Sequence, residues 1–343
     1  MTTDPHTPFP DIDKNAVVEA VITAYREKQP APFQRGGPAF EQKCREDIAY
    51  HLDYLKIATL ANEPEVFAEY SRWLRDVLQN RQVPEGCITT SYTLLQNHFT
   101  QRHPEQSKTV SAIIEAGINA VNDDKHPLVS QPITRAPELT KNFALMISQG
   151  DRAKSRELYF DQLQQGPTLA QTNLELLQPS LYEIGRRWQT NQLSVAQEHM
   201  ATAICQSLMA QGFGKVSFAP STGKHAVFTA VEGAQHALGI QMVADGFEEA
   251  GWRCDYLGAN TPLTDLITFL DREKPDLLGL SATLPVDITR ARQMTTQLRV
   301  ELGNACPLIM VGGLATNTIP RSWSLCGADI WAINTLEAIK ESQ

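Results

Sequence analysis

No stretch of the 343 residues stays apolar for the roughly 20 positions a helix needs to span a bilayer, so no membrane partner is expected. A basic face is also missing. With a net charge of −9 the chain offers no surface suited to nucleic-acid phosphates. The six cysteines, Cys44, Cys87, Cys205, Cys254, Cys306 and Cys326, never occur as a CxxC pair, which argues for reduced thiols rather than a disulfide frame or a zinc site. Gly212, Gly214 and Gly223 fit neither a Walker loop nor a dinucleotide fingerprint. There is no internal repeat and no low-complexity tract. The first residues, with Asp4, His6 and Asp11 among prolines, lack the basic and apolar regions of a secretory leader, so a cytoplasmic location is expected.

What is present is an ordinary globular balance, 42% apolar and 20% charged, at a length that suggests two or three domains. Residues 1–38, rich in Pro and Gly around a short helical pattern at 14–28, read as a flexible lead-in. Residues 39–126 read as an all-α N-terminal domain. Ile48, Leu52, Leu55 and Ile57, then Val66, Phe67, Tyr70, Trp73, Leu74 and Val77, recur at helical spacing, and further helices are expected at 87–103 and 104–122. Asn62 is expected to cap the helix that Pro64 opens. His51, His98, His103 and His126 lack metal-ligand spacing and are expected at the surface.

A linker with Pro127, Pro132 and Pro137 leads to a second helical set over 136–215, with helices at 137–149, 151–165, 168–189 and 194–211. Short turns between them favour a four-helix bundle. Over 223–343 short β-rich runs alternate with amphipathic helices. This predicts a flavodoxin-like (Rossmann-like) α/β domain with a parallel five-stranded sheet and a site at the carboxyl ends of its strands.

Three segments fall on that edge. Glu232-Gly233-Ala234-Gln235-His236-Ala237-Leu238-Gly239 puts a histidine on the loop after the first strand, with Gly239 leaving the next helix room beside something bulky. Ser281-Ala282-Thr283-Leu284 ends the third strand, and Gly312-Gly313 ends the fourth. A loop histidine alone is usually solvated, and Ser or Gly-Gly at strand ends is ordinary turn chemistry. The triple, in this order on one edge, is less ordinary. In the helical set, Trp188 precedes Glu198-His199 by nine residues. Ala201, Thr202 and Cys205 share the helical face of Glu198, small residues beside a thiol.

The sheet segments resemble the cobalamin-binding domain of corrinoid proteins, whose signature is Asp/Glu-x-His-x-x-Gly, then Ser-x-Leu or Ser-x-Thr, then Gly-Gly. Gly258-Ala259-Asn260-Thr261-Pro262 is similar to that family's loop after its second strand. The resemblance implies His236 as lower cobalt ligand, Ser281 and Thr283 against the cofactor's nucleotide tail, and Gly312 and Gly313 lining its slot. The chain departs from the signature at Ala234, where the family has an acid to orient the histidine. Glu232 is the nearest alternative. The Trp-x9-Glu-His spacing resembles the cap of cobalamin-dependent photoreceptors of the CarH type. That resemblance implies Trp188 against the upper group of adenosylcobalamin, Glu198 bonded to it, and His199 as a ligand once the group is lost.

Two pigments fit this pattern: adenosylcobalamin, or a linear tetrapyrrole such as biliverdin attached through Cys205, with Cys205 otherwise a small core residue. The expected role is a tetrapyrrole-based light or ligand sensor rather than an enzyme, signalling to a protein partner or through a homo-oligomer. A corrinoid carrier for methyl transfer and a scaffold that binds nothing are the alternatives.

Overall fold

A computed structural model describes residues 9–84, 86–123, 137–166, 168–319 and 321–343, and the chain divides into two compact units, 1–130 and 131–343. The linker prolines Pro127 and Pro132, and His126, lie outside the described residues. No helix among the described residues is long and apolar enough to cross a membrane.

The first unit is built from α1 (Lys14–Lys28), α2 (Pro30–Ala61), α3 (Pro64–Asn80), α4 (Cys87–Arg102) and α5 (Pro104–Asn122). Residues 13–38 are not the loose lead-in expected from their composition. Asp13 caps α1 by accepting from Asn15 N and Ala16 N, and Val17, Val18, Val21, Ile22 and Tyr25 are buried. The break expected near residue 38 is a kink inside α2, with Gly37 at φ +58 just before Pro38. Asn62 does not cap α3. It ends α2 in the left-handed conformation at φ 54, and Glu63 occupies the N-cap of α3.

His51, expected at the surface, is buried and pairs its Nδ1 with Tyr70 Oη at 2.8 Å. Tyr54 stacks on Tyr70 at 3.8 Å between centroids, and Ser71 bonds Tyr92 beside them. Burial pushes the His51 imidazole down to about 3. A base held neutral in the fold but free to protonate once unfolded loses stability as pH falls through its ordinary value near 6.5. The opening constant read by hydrogen exchange across α2–α4 of the full chain, after correction for the intrinsic rate, is therefore expected to rise between pH 7 and pH 4. His51→Asn flattens that dependence, and an unchanged slope in the variant would assign it elsewhere.

The second unit opens with a helical bundle: α6 (Glu138–Gln149), α7 (Arg152–Gln165), the one-turn α8 (Leu169–Thr172), a π-helical turn (Asn173–Leu177), α9 (Gln178–Gln189) and α10 (Val195–Phe213). The single helix expected over 168–189 is thus interrupted by the π turn. A reciprocal capping box starts α10, with Gln197 N bonded to Ser194 Oγ and Ser194 N to Gln197 Oε1. The bundle core gathers Phe143, Ile147, Tyr159, Leu177, Ile184, Ala201, Cys205 and Met209.

The rest is an α/β domain: β1 (His225–Ala230), α11 (Leu238–Glu249), β2 (Arg253–Gly258), α12 (Leu263–Glu273), β3 (Leu277–Ser281), α13 (Pro285–Leu302), β4 (Leu308–Gly312), α14 (Leu314–Thr318), α15 (Ser322–Leu325), β5 (Ile330–Trp331) and α16 (Thr335–Glu341). All strands are parallel in the order β2-β1-β3-β4-β5. β1 and β3 are buried along their whole length, as expected for a sheet covered on both faces. The chain moves to opposite sides of β1 on leaving β1 and then β2, and this topological switch sets the crevice at the carboxyl edge.

Bundle and sheet meet along α11. Leu238 and Met242 pack into the bundle's core cluster. Glu249 reaches back to the start of α8, accepting from Leu169 N at 2.7 Å and Ala170 N at 3.0 Å. A carboxylate on free N–H groups at a helix start is a charge-assisted contact, worth roughly 1.5–3 kcal/mol per bond at this degree of burial.

Candidate functional site

Strand register brings the edge together. Ala230 pairs with Ser281, Ser281 pairs with Gly312, and Val231 N and Ala282 N extend the ladder to Ser281 O and Gly312 O. The loops after β1, β3 and β4 therefore leave side by side. His236 stands exposed on the first, and among the described residues it makes no hydrogen bond or ion pair.

That loop is itself held firmly. Gly233 N donates to Asn260 Oδ1 at 2.7 Å, Glu232 N to Met294 Sδ, and Tyr256 Oη to Ala237 O. Gly233 sits at φ +82, and a Cβ there would come 2.9 Å from the Arg290 guanidinium carbon. Ala234 is buried and supplies no carboxylate, and Glu232 is exposed without a bond to His236. The imidazole has no orienting acid. Gly239, the second residue of α11, faces open space.

Ser281 is 6% exposed, and neither its hydroxyl nor that of half-buried Thr283 has a partner among the described residues. Sequence reasoning missed what organises them. Asp287, fully buried, accepts from Thr283 N and Leu284 N and holds Arg290 at 3.0 Å. Its signal was legible as an acid three residues into a helix that opens on Pro285. At the double glycine, a Cβ on Gly313 would lie 2.4 Å from Ala282 O, and one on Gly312 would lie 2.9 Å from Ala332 O. Their missing side chains make room for the domain's own backbone.

On the bundle, Trp188 is half-buried in the last turn of α9. Glu198, in the first turn of α10, bonds His199 Nδ1 at 2.6 Å and accepts from Thr202 Oγ1 at 3.1 Å. His199 is largely exposed. Glu198, His199 and Thr202 are thus brought together. Ala201 and Cys205 do not share that open face and are enclosed in the bundle core. Burial pushes the Cys205 thiol up to about 12, so the thiolate that a bilin thioether requires is not available at this position. Glu198 and His236 make no hydrogen bond with one another, and bundle and histidine loop are linked through Leu238 and Met242.

A single free histidine, two free hydroxyls and open space at Gly239 suit a cofactor that brings its own metal. No group of three or more His, Cys, Asp or Glu among the described residues is placed to hold a bare ion. Comparison with known proteins agrees. Residues 224–340 match a B12 binding domain, and residues 139–211 match a second B12 binding domain model. The chain is 30% identical over 145 residues, 42% of its length, to the HTH-type transcriptional repressor CarH of Myxococcus xanthus, covering 47% of that protein. It is 27% identical over 114 residues, 33% of its length, to dimethylamine corrinoid protein 3 of Methanosarcina acetivorans, covering 52% of it. The chain thus spans about half the length of these curated relatives. A solved structure, the Methanosarcina barkeri monomethylamine corrinoid protein, shares the fold with a TM-score of 0.50 at 19% identity, covering 60% of this chain and 97% of that one. Helical bundle and sheet domain therefore each match a B12 binding domain model, and over this region the chain resembles the CarH-type cobalamin proteins.

Proposed function

We propose that the second unit holds a cobalamin, in its adenosyl form, between the bundle and the carboxyl edge of the sheet, and that it acts as a light or ligand sensor rather than an enzyme. The observation that carries this reading is the meeting, on one sheet edge, of a partnerless histidine with two partnerless hydroxyls. His236 is the cobalt ligand from below. Ser281 and Thr283 donate to the polar tail, Gly239 leaves room for the ring, and Trp188, Glu198 and His199 cover the upper face. When bound, the cofactor supplies a cobalt centre whose upper bond is labile. The protein's part is to orient that centre, exclude water from it, and register a change above it as movement of the bundle along α11. Output then passes to a protein partner or a second copy of the chain.

Leu238, Met242 and Glu249 fasten the bundle to the sheet domain, and a sensor would use this contact to register a change above the cofactor. The match to a dimethylamine corrinoid protein supports the carrier reading. One experiment separates the two. The full chain is loaded with adenosylcobalamin in the dark, and its absorption spectrum and size-exclusion volume are recorded before and after green light. Corrin bands that change together with a shifted volume are expected. A colourless protein rejects the site, and a light-stable spectrum with methyl uptake from a partner methyltransferase transfers the assignment to the carrier.

A further inference from the structure

Helix α11 carries two buried stripes. Ile240, Ala244 and Phe247 enter the sheet's core. The other stripe, at 238, 241, 242, 245 and 249, follows the bundle seam, where Leu238 and Met242 reach the bundle core and Glu249 caps α8. Two polar residues interrupt it. Gln241 Oε1 and Asp245 Oδ2 are enclosed and have no hydrogen-bond partner.

On the bundle side, Asn173 opens the π-helical turn and is 1% exposed. Its Oδ1 accepts from Tyr159 Oη at 2.9 Å, while its Nδ2 is unpartnered. Tyr159 lies within electrostatic reach of Asp245, so these groups belong to one seam. The packing leaves no slack, since a Cβ on Gly246 would lie 3.1 Å from that of Ala170. Buried polar groups are normally paired, and the unpaired Gln241 Oε1 and Asp245 Oδ2 on one stripe of α11, with the unpaired Asn173 Nδ2 at the π turn of the bundle, mark packing under tension.

No cation among the described residues relieves it. The groups around Asp245 are Glu248 on its own helix, Tyr159 of α7 with Cys205 of α10 beyond it, and Cys254 and Tyr256 of β2. Glu249 is occupied by α8, and α16 presents the uncharged Thr335 and Ile339 to the neighbouring Gly246. Burial, with Glu248 adding to it, pushes the Asp245 carboxyl up to about 7.

We propose that Asp245 is a proton-operated latch on the seam between bundle and sheet domain, holding the two docked when protonated and releasing them when ionised. Released, the carboxylate is hydrated and returns toward 3.8, so opening gives up one proton to solvent and grows with pH across the interval between the two values. The latch rests on the docked arrangement alone, and its test uses the full chain without cofactor. A failure here leaves the cobalamin reading standing.

Hydrogen exchange at Leu169 N and Ala170 N, whose bonds to Glu249 break on opening, is measured from pH 5 to pH 8 and corrected for intrinsic base catalysis. The opening constant is expected to rise about tenfold per pH unit up to pH 7 and to level off above it. Asp245→Asn is expected to show no rise across this range and to lie below the wild type throughout. A flat wild-type profile, or the same slope in Asp245→Asn, overturns the latch. The wild-type profile decides alone should the variant not fold.

Discussion

Gly313→Ala is expected to destabilise the sheet domain strongly, although alanine adds one methyl group. Gly313 has φ 108 and ψ 172, a region that only glycine adopts without strain, and forcing another residue there costs roughly 1–3 kcal/mol. The added Cβ would also lie 2.4 Å from Ala282 O, 2.9 Å from Ala282 C and 3.0 Å from Ala282 N. Those atoms are backbone, and they are bonded in place. Ala282 N donates to Gly312 O, and Ala282 O accepts from Ala315 N, so neither can retreat without breaking the ladder between β3 and β4 or the start of α14. Strain and overlap together reach about 4 kcal/mol, a large share of the roughly 5–15 kcal/mol that stabilises a domain. Gly312→Ala meets one backbone atom, Ala332 O at 2.9 Å, at the edge of short β5, and is expected to cost about 1–2 kcal/mol. Urea unfolding of the full chain, followed by tryptophan fluorescence, measures both. Equal midpoints for the two variants would show that the Gly-Gly pair answers to something other than its own backbone.

The same pair shows where sequence reading reached its limit. The order of strands and helices over 223–343 is legible because a period of two alternates with a period near 3.6, and that alternation admits one economical topology. The carboxyl edge and its residues His236, Ser281, Thr283 and Gly312 follow from that topology. Which neighbour each residue meets does not. Gly-Gly reads equally as a ligand slot or as a backbone crossing, because the deciding atoms, Ala282 O and Ala332 O, belong to other loops. Cys205 fails as a ligand-facing thiol for a similar reason. Polar and apolar residues are mixed all round its helix, so periodicity cannot separate the face toward Phe143 and Tyr159 from a face toward a cofactor. The lead-in was misread because Pro30, Gly36, Gly37 and Pro38 outweighed in composition the buried stripe of Val17, Val18, Val21 and Ile22. The seam residues Asn173, Gln241 and Asp245 gave no signal, since a polar residue on a helix face is ordinarily solvated.

The departure at Ala234 leads to the remaining large effect. His236→Ala is expected to remove the imidazole band from the spectrum of the cobalamin-loaded chain and to weaken binding by more than the about 10–100-fold that loss of a ligand's orienting partner costs. Ala234→Asp is expected to do the reverse. It places a carboxylate two residues before His236, whose ring has no hydrogen-bond partner among the described residues, and should tighten binding by about 10–100-fold. The same substitution has a cost without cofactor. Ala234 is 4% exposed, and a carboxylate buried there without a cation should destabilise the free chain by about 1–3 kcal/mol. Affinity and stability should therefore move in opposite directions in this one variant, affinity read by titration with cobalamin and stability by denaturation of the cofactor-free chain. If Ala234→Asp leaves affinity unchanged while His236→Ala abolishes coordination, the histidine is oriented by the loop bonds to Asn260, Met294 and Tyr256. If neither variant alters the spectrum, His236 is not the ligand.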